Sequence, residues 1–203
     1  GIDATPLLGN RTGIGRLVHE LIGRLIPRLG ADEELVLCAR VFRQNPLFGV
    51  SFDPLRAAAA HPRVRLVRHI LPAGAAERIG RVFPWLPLDL AAGPLDVFHG
   101  TNFVLPASRR ARGIVTIHDL SFLRFPDHVP RDFRERFERV SRDAVSRANL
   151  VIADSDFTGR DVVSYLGVAP DRVVTVYPGV APEFFAAGDA KRDRARLAER
   201  YRV

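Results

Sequence analysis

Apolar and polar positions follow two different periods along this 203-residue chain, and the two take turns. Short runs such as "ELVLCARV", "GIVTI", "LVIA" and "RVVTV" are almost continuously apolar, the pattern of strands buried on both faces. Between them lie longer segments whose apolar residues recur every three to four positions, the pattern of helices with one buried face. The predicted strands cover residues 1–4, 34–41, 63–69, 96–99, 113–117, 150–153 and 172–176. The predicted helices cover 12–29, 131–147 and 155–166, with a short Ala-rich helix inside 42–61. Residues 74–94 read as helix and then loop, broken by Pro84, Pro87 and Pro94. Strands alternating with helices predict a parallel sheet covered on both sides, a Rossmann-like α/β fold.

Two helices carry a predicted buried stripe. In 12–29 it is Leu17, Leu21, Leu25 and Leu29, with Pro27 disturbing the last turn. In 131–147 it is Phe133, Phe137, Val140 and Ala144. The opposite side of the second helix pairs Asp132 with Arg136, Glu135 with Arg139, Glu138 with Arg142 and Asp143 with Arg147. Acid four residues before base is the favourable order on a helix, about 0.3 kcal/mol per pair. That arrangement describes a solvated face rather than a membrane or nucleic-acid surface.

Composition changes the picture little. Hydrophobic residues make up 47% and charged residues 26%, close to globular averages. The formal charge is +7, and Lys191 is the only lysine among 30 basic residues. No basic stripe or stacking platform accompanies that charge, so nucleic acid is not an expected partner. No run approaches the roughly 18 apolar residues of a membrane span, and no basic segment precedes an apolar one as in a signal peptide. A weak attraction to anionic lipid headgroups remains compatible with the charge. The single cysteine, Cys38, rules out an internal disulfide and reads as a small buried hydrophobe in a reducing compartment. The chain has no methionine, opens inside a strand and closes inside the charged, helix-like "AKRDRARLAERYRV". We therefore expect a piece of a longer protein.

The chemistry gathers at the strand ends. Parallel strands place their carboxyl ends on one rim, where open α/β sheets bind ligands. Asp3 ends the first strand, His99-Gly100-Thr101-Asn102 follows "DVF", and His118-Asp119 follows "GIVTI". Asp154-Ser155-Asp156 follows "LVIA" and Tyr177-Pro178-Gly179 follows "RVVTV". The candidate catalytic residues are His118 and Asp119. The candidate binding residues are Gly13, Ile14, Gly15, His99, Thr101, Asn102 and Ser155. Plainer roles stand beside these: Ser155 as a helix cap, Asp3 as an acceptor for loop amides, and the histidines as packed side chains.

The first loop, "LLGNRTGIGRLVHEL", holds three glycines before a helix, as a turn does where a diphosphate approaches helix N-terminal amides. No Gly-Lys-Ser/Thr follows, and the dinucleotide fingerprint would need Gly or Ala where Val18 stands. Gly-x-Ser-x-Gly is absent, and the histidines lack HExxH or comparable metal spacing.

"GIDATPLLGNRTGIGRLVHEL", "DVFHGTNFVLP", "VTIHDLSFLRFPDHVP", "VIADSDFTGRDV" and "VYPGVAPEFF" together resemble the N-terminal half of a GT-B glycosyltransferase of the large retaining, GT4-like group. The resemblance runs in order over essentially the whole chain, and the strand-end His-Asp followed by "FPDHVP" is its most specific piece. It implies two facing Rossmann-like domains with the active site between them. Residues 1–183 would be the acceptor-side domain, and 184–203 the linker and start of a missing C-terminal domain that holds most of the donor. Gly13 and its neighbours would approach the donor diphosphate. The histidine matching His118 would lie against the transferred sugar, and Asp119 could orient that imidazole or the loop.

The expected function is transfer of a sugar, with mannose as the suggested one, from a nucleotide diphosphate to an unidentified acceptor, with retention. No metal or other cofactor is expected beyond the nucleotide sugar itself. A glycan or lipid-linked acceptor, and the chain's own missing domain, are the expected partners. The expected location is the cytoplasm, with peripheral contact at the cytoplasmic membrane face, and this piece alone is expected to be inactive. The competing reading is a non-catalytic Rossmann-like module that binds a glycan or nucleotide sugar.

Overall fold

The structure, a computed structural model, describes residues 1–8, 12–40, 53–69, 86–181, 184, 185 and 188–202. Strands β1 (Ile2–Asp3), β2 (Leu35–Arg40), β3 (Val64–His69), β4 (Val97–Gly100), β5 (Arg112–Ile117), β6 (Leu150–Ala153) and β7 (Val173–Thr175) form one seven-stranded sheet. Its order is β3-β2-β1-β4-β5-β6-β7, and every pairing is parallel. The chain builds outward from β1 to β3, returns, and builds outward on the other side from β4. The order therefore reverses between β1 and β4, the place where open α/β sheets leave a crevice beyond the strand ends.

The helices are α1 (Gly13–Leu25), α2 (Asp53–Ala59), α3 (Leu86–Ala92), α4 (Ser121–Arg124), α5 (Arg131–Arg147), α6 (Asp156–Leu166) and α7 (Ala190–Tyr201). They cover both faces of the sheet, and β2 shows why. Leu35, Leu37 and Ala39 join the core under α1 and α2, with Val18, Ile22 and Leu55. Val36 and Cys38, pointing the other way, join the core of α3, α5 and α6, with Leu88, Val145 and Val162. Successive strand residues face opposite sides, so a strand between two cores must be apolar throughout. Cys38 is 3% exposed, the buried role expected of it.

Several elements differ from expectation in instructive ways. α1 stops at Leu25 and tightens into a 3-10 turn over Ile26–Arg28, because Pro27 cannot donate into the helix. Its deepest residues are Val18 and Ile22, with Leu17, Leu21 and Leu25 flanking them. Pro87, expected to break structure, sits in the first turn of α3, where a missing N–H costs nothing. The predicted loop and helix within residues 70–85 lie outside the described residues, as do residues 41–52.

The α5 stripe is rotated from the predicted one. Ser141, Ala144 and Val145 are its buried residues, while Phe133 is 42% exposed. The helix has two different partners along its length. Its first half reaches past the sheet, where Phe137 meets Phe103 edge-on and Phe122 at a tilt of 59°, at centroid distances of 5.9 and 5.8 Å. Its second half packs small residues onto β5 and α6. On the outer side, Arg142 pairs with Glu138 at 2.8 Å and Arg147 with Asp143 as predicted, but Glu135 is taken by Arg131 at 2.7 Å.

Candidate functional site

The site begins with a tight turn after β4. A Cβ on Gly100 would overlap the Val104 carbonyl oxygen, so only glycine lets the chain fold back there. Phe103, in that turn, has φ 57°, a left-handed conformation that costs a bulky residue about 1 kcal/mol or more. Its N–H donates to the Thr116 carbonyl at 3.2 Å. The turn presses Thr101 between neighbouring strand ends, 1% exposed. The Thr101 hydroxyl donates to the Asp3 carbonyl at 2.7 Å, bridging β4 to β1 across the reversal point.

His118 lies one strand further along. Its Nε2 is 2.9 Å from the Thr101 carbonyl oxygen, and its Nδ1 is 2.7 Å from Asp154 Oδ2. Its own carbonyl accepts from the Thr158 hydroxyl at 3.2 Å. The His118 side chain is 9% exposed and that of Asp154 22%. Register explains the pair. Ile117 is aligned with Ala153, so the residues that follow them stand side by side where β5 and β6 end. One chain of contacts thus runs Asp154–His118–Thr101–Asp3 across the carboxyl ends of β6, β5, β4 and β1.

His99 stands beside this chain. Its Nε2 is 2.8 Å from the Thr116 hydroxyl. Burial pushes its imidazole down to about 4; Asp3 opposes that shift and His118 adds to it. His99 is therefore neutral near neutral pH.

The remaining predicted residues take individual places. The Asp119 carboxylate is not among the hydrogen-bond partners of the His118 ring, which are Asp154 and Thr101 among the described residues. The Asp119 carboxylate accepts from the Ser121 N–H at 2.9 Å and the Ser121 hydroxyl at 2.6 Å, holding the start of α4. Of the two orienting roles expected for it, the structure shows the loop, and Asp154 is the carboxylate against the imidazole. Ser155 caps α6: its hydroxyl accepts from the Thr158 N–H at 3.1 Å and contacts the Thr158 hydroxyl at 3.1 Å. Both polar bonds are local, and they give this serine the capping role expected as its plainer one. The half-buried Asn102 side chain makes no hydrogen bond among the described residues. The Asp3 carboxylate accepts from the Thr5 N–H at 3.0 Å and from the Thr5 hydroxyl, its expected plainer role.

The glycine turn opens on the same edge, because α1 follows β1. Thr12 caps α1 through its hydroxyl, which accepts from the Gly15 N–H at 3.1 Å. A Cβ on Gly15 would come within 2.7 Å of the Pro6 carbonyl oxygen, whereas nothing lies within 4 Å of one on Gly13. Gly15 serves backbone packing, and Gly13 leaves open space at the helix start. Residues 9–11 of this loop lie outside the described residues. Arg16, in the first turn, lies 5.2 Å from the ring centre of Phe184. The segment after β7 therefore returns to the start of α1.

Three contributors went unread in the sequence. Thr116 and Thr158 look like ordinary strand and helix residues and acquire partners only through strand register. Arg124 pairs with the 9% exposed Asp161 carboxylate at 3.0 Å and lies 4.5 Å from the Phe157 ring centre, fastening α4 to α6. Among the described residues, no three His, Cys, Asp or Glu side chains cluster as a metal site would require. None of the described helices is long and apolar enough to cross a membrane.

A sequence profile of Glycosyltransferase Family 4 matches residues 11–184. The chain belongs to this family. The family 4 chain is 27% identical over 95 residues to O-antigen chain mannosyltransferase B of Escherichia coli, covering 47% of the chain and 25% of that protein. It is 28% identical over 192 residues to D-inositol 3-phosphate glycosyltransferase 1 of Catenulispora acidiphila, covering 83% of the chain and 45% of that protein. Its fold matches that of Anabaena HepE, solved with UDP and with UDP-glucose, at a TM-score of 0.54 and 14% identity. That match covers 98% of the chain and 48% of HepE. The family 4 chain thus spans less than half the length of each of these relatives. The shared architecture is the Rossmann-like parallel sheet.

Proposed function

We propose that this chain is the acceptor-side half of a retaining glycosyltransferase that moves a sugar from a nucleotide diphosphate. The observation that carries the reading is the convergence of Thr101, His118 and Asp154 at the carboxyl edge, beside the β1–β4 reversal. Breaking a sugar–diphosphate bond builds positive charge on the ring and negative charge on the departing phosphate. The Gly13 and Ile14 amides, unpaired by the helix itself, would meet the diphosphate at the start of α1. His118 would lie against the transferred sugar, whose hydroxyl would share or replace the Thr101 carbonyl at Nε2. Asn102 would supply an amide to the same mouth. No step of this proposal uses a metal.

The UDP-glucose complex of HepE supports a nucleotide-sugar donor. The name of the Escherichia coli relative supports mannose, which would come from GDP-mannose. A second domain beyond residue 184, holding most of the donor, completes the proposal. A lipid-linked acceptor would bring the enzyme to the cytoplasmic membrane face.

The test is to offer the full-length protein UDP-glucose and GDP-mannose with candidate glycan and lipid-linked acceptors, and to follow product anomers by NMR. Transfer with the donor's anomeric configuration supports the reading. Inverted product overturns retention, and nucleotide-sugar binding without transfer favours the non-catalytic module.

A further inference from the structure

The two nitrogens of the His118 ring both face oxygens. The Thr101 carbonyl can only accept, so a bond at 2.9 Å requires a hydrogen on Nε2. A neutral ring with that hydrogen has a bare Nδ1. A bare nitrogen 2.7 Å from a carboxylate oxygen sets two lone pairs against each other. The contact bonds only if a second proton lies between Nδ1 and Asp154.

We propose that Asp154 is the positioning residue for His118, its carboxylate holding the ring as an imidazolium that donates from both nitrogens. This rests on the reading above that His118 serves sugar transfer, and it adds a definite role. A ring held this way is a hydrogen-bond donor with its positive end at Nε2. It can stabilise a sugar hydroxyl or a phosphate oxygen, and it cannot act as a general base.

The surroundings favour Asp154 as the partner. Asp3 acts from β1 against His99 and bonds Thr5. His99, on β4, is held neutral by burial and brings no competing charge. Asp119 bonds Ser121, Asp161 pairs with Arg124, and Asp156 is hydrogen-bonded to Thr175 and Tyr177. Among these groups, Asp154 alone is hydrogen-bonded to the ring, and it is one residue from the Ser155 cap of α6.

The decisive experiment is side-chain 15N NMR of the histidines in this chain near neutral pH. In the wild type, both His118 nitrogens are expected in the protonated range. In Asp154→Asn, one of them moves to the unprotonated range while the backbone amide spectrum keeps its dispersion. Asp154→Glu, which retains the charge, restores the second proton. An unprotonated His118 nitrogen in the wild type, or full protonation in Asp154→Asn, overturns the proposal. Should Asp154→Asn fail to fold, the wild-type spectrum decides. The readout involves no sugar transfer, so it can fail while the transferase reading stands, and the reverse.

Discussion

Phe103 stands edge-on to His118, their ring centres 5.9 Å apart and the planes at 68°. The phenyl ring reaches that position from a left-handed backbone, so strain in the β4 turn is exchanged for contacts with His118, Phe122 and Phe137. Phe103→Ala keeps the strain and loses the rings. It is expected to destabilise the fold by about 3 kcal/mol, the usual cost of emptying a buried aromatic position. Urea unfolding measures this, and a loss well below about 1 kcal/mol would show that the ring does not hold the turn.

His99 predicts an acid-sensitive fold. Its value is about 4 when folded against 6.5 in the unfolded chain. Between those values the unfolded chain binds a proton that the folded chain refuses. The contribution is full above about 6.5 and is lost as pH falls toward 4, up to about 3 kcal/mol. His99→Gln can still meet the Thr116 hydroxyl and should flatten this part of the curve. Denaturant midpoints between pH 7 and pH 4.5 decide; parallel curves for the two proteins would contradict it.

Ser141 buries a hydroxyl that has no hydrogen-bond partner among the described residues. Burial without a partner carries a penalty of about 1 kcal/mol or more. Ser141→Ala removes it from a helix position that alanine suits. A higher urea midpoint by about 1 kcal/mol is expected, and a lower one would mean that the hydroxyl has a partner.

Much of this architecture was legible because burial on both faces leaves a plain trace. "LVIA" reads as a strand with the bounds the structure gives, and the helix at 131–147 is likewise bounded as expected. Local signals also sufficed for Ser155, a cap residue before a helix. The misreadings came where an element has more than one partner. α5 packs on a loop with its first half and on the sheet with its second, so no single stripe describes it. Pro87 was weighed as a breaker because its place in a first turn depends on where α3 begins. His118 and Asp119 adjoin in sequence, yet the ring's carboxylate comes from β6, 36 residues away. Placing "GIVTI" beside "LVIA" in register would have found it, since the residue after each strand then meets the other.

The central claim is that the carboxyl-edge site around His118 carries sugar transfer. The most direct measurement is the rate of sugar transfer by the full-length protein carrying His118→Ala, with its fold checked by circular dichroism. A loss of at least about 100-fold is predicted, the scale of a positioned catalytic side chain. Turnover close to wild type in a folded variant would contradict the account and leave His118 a packing residue.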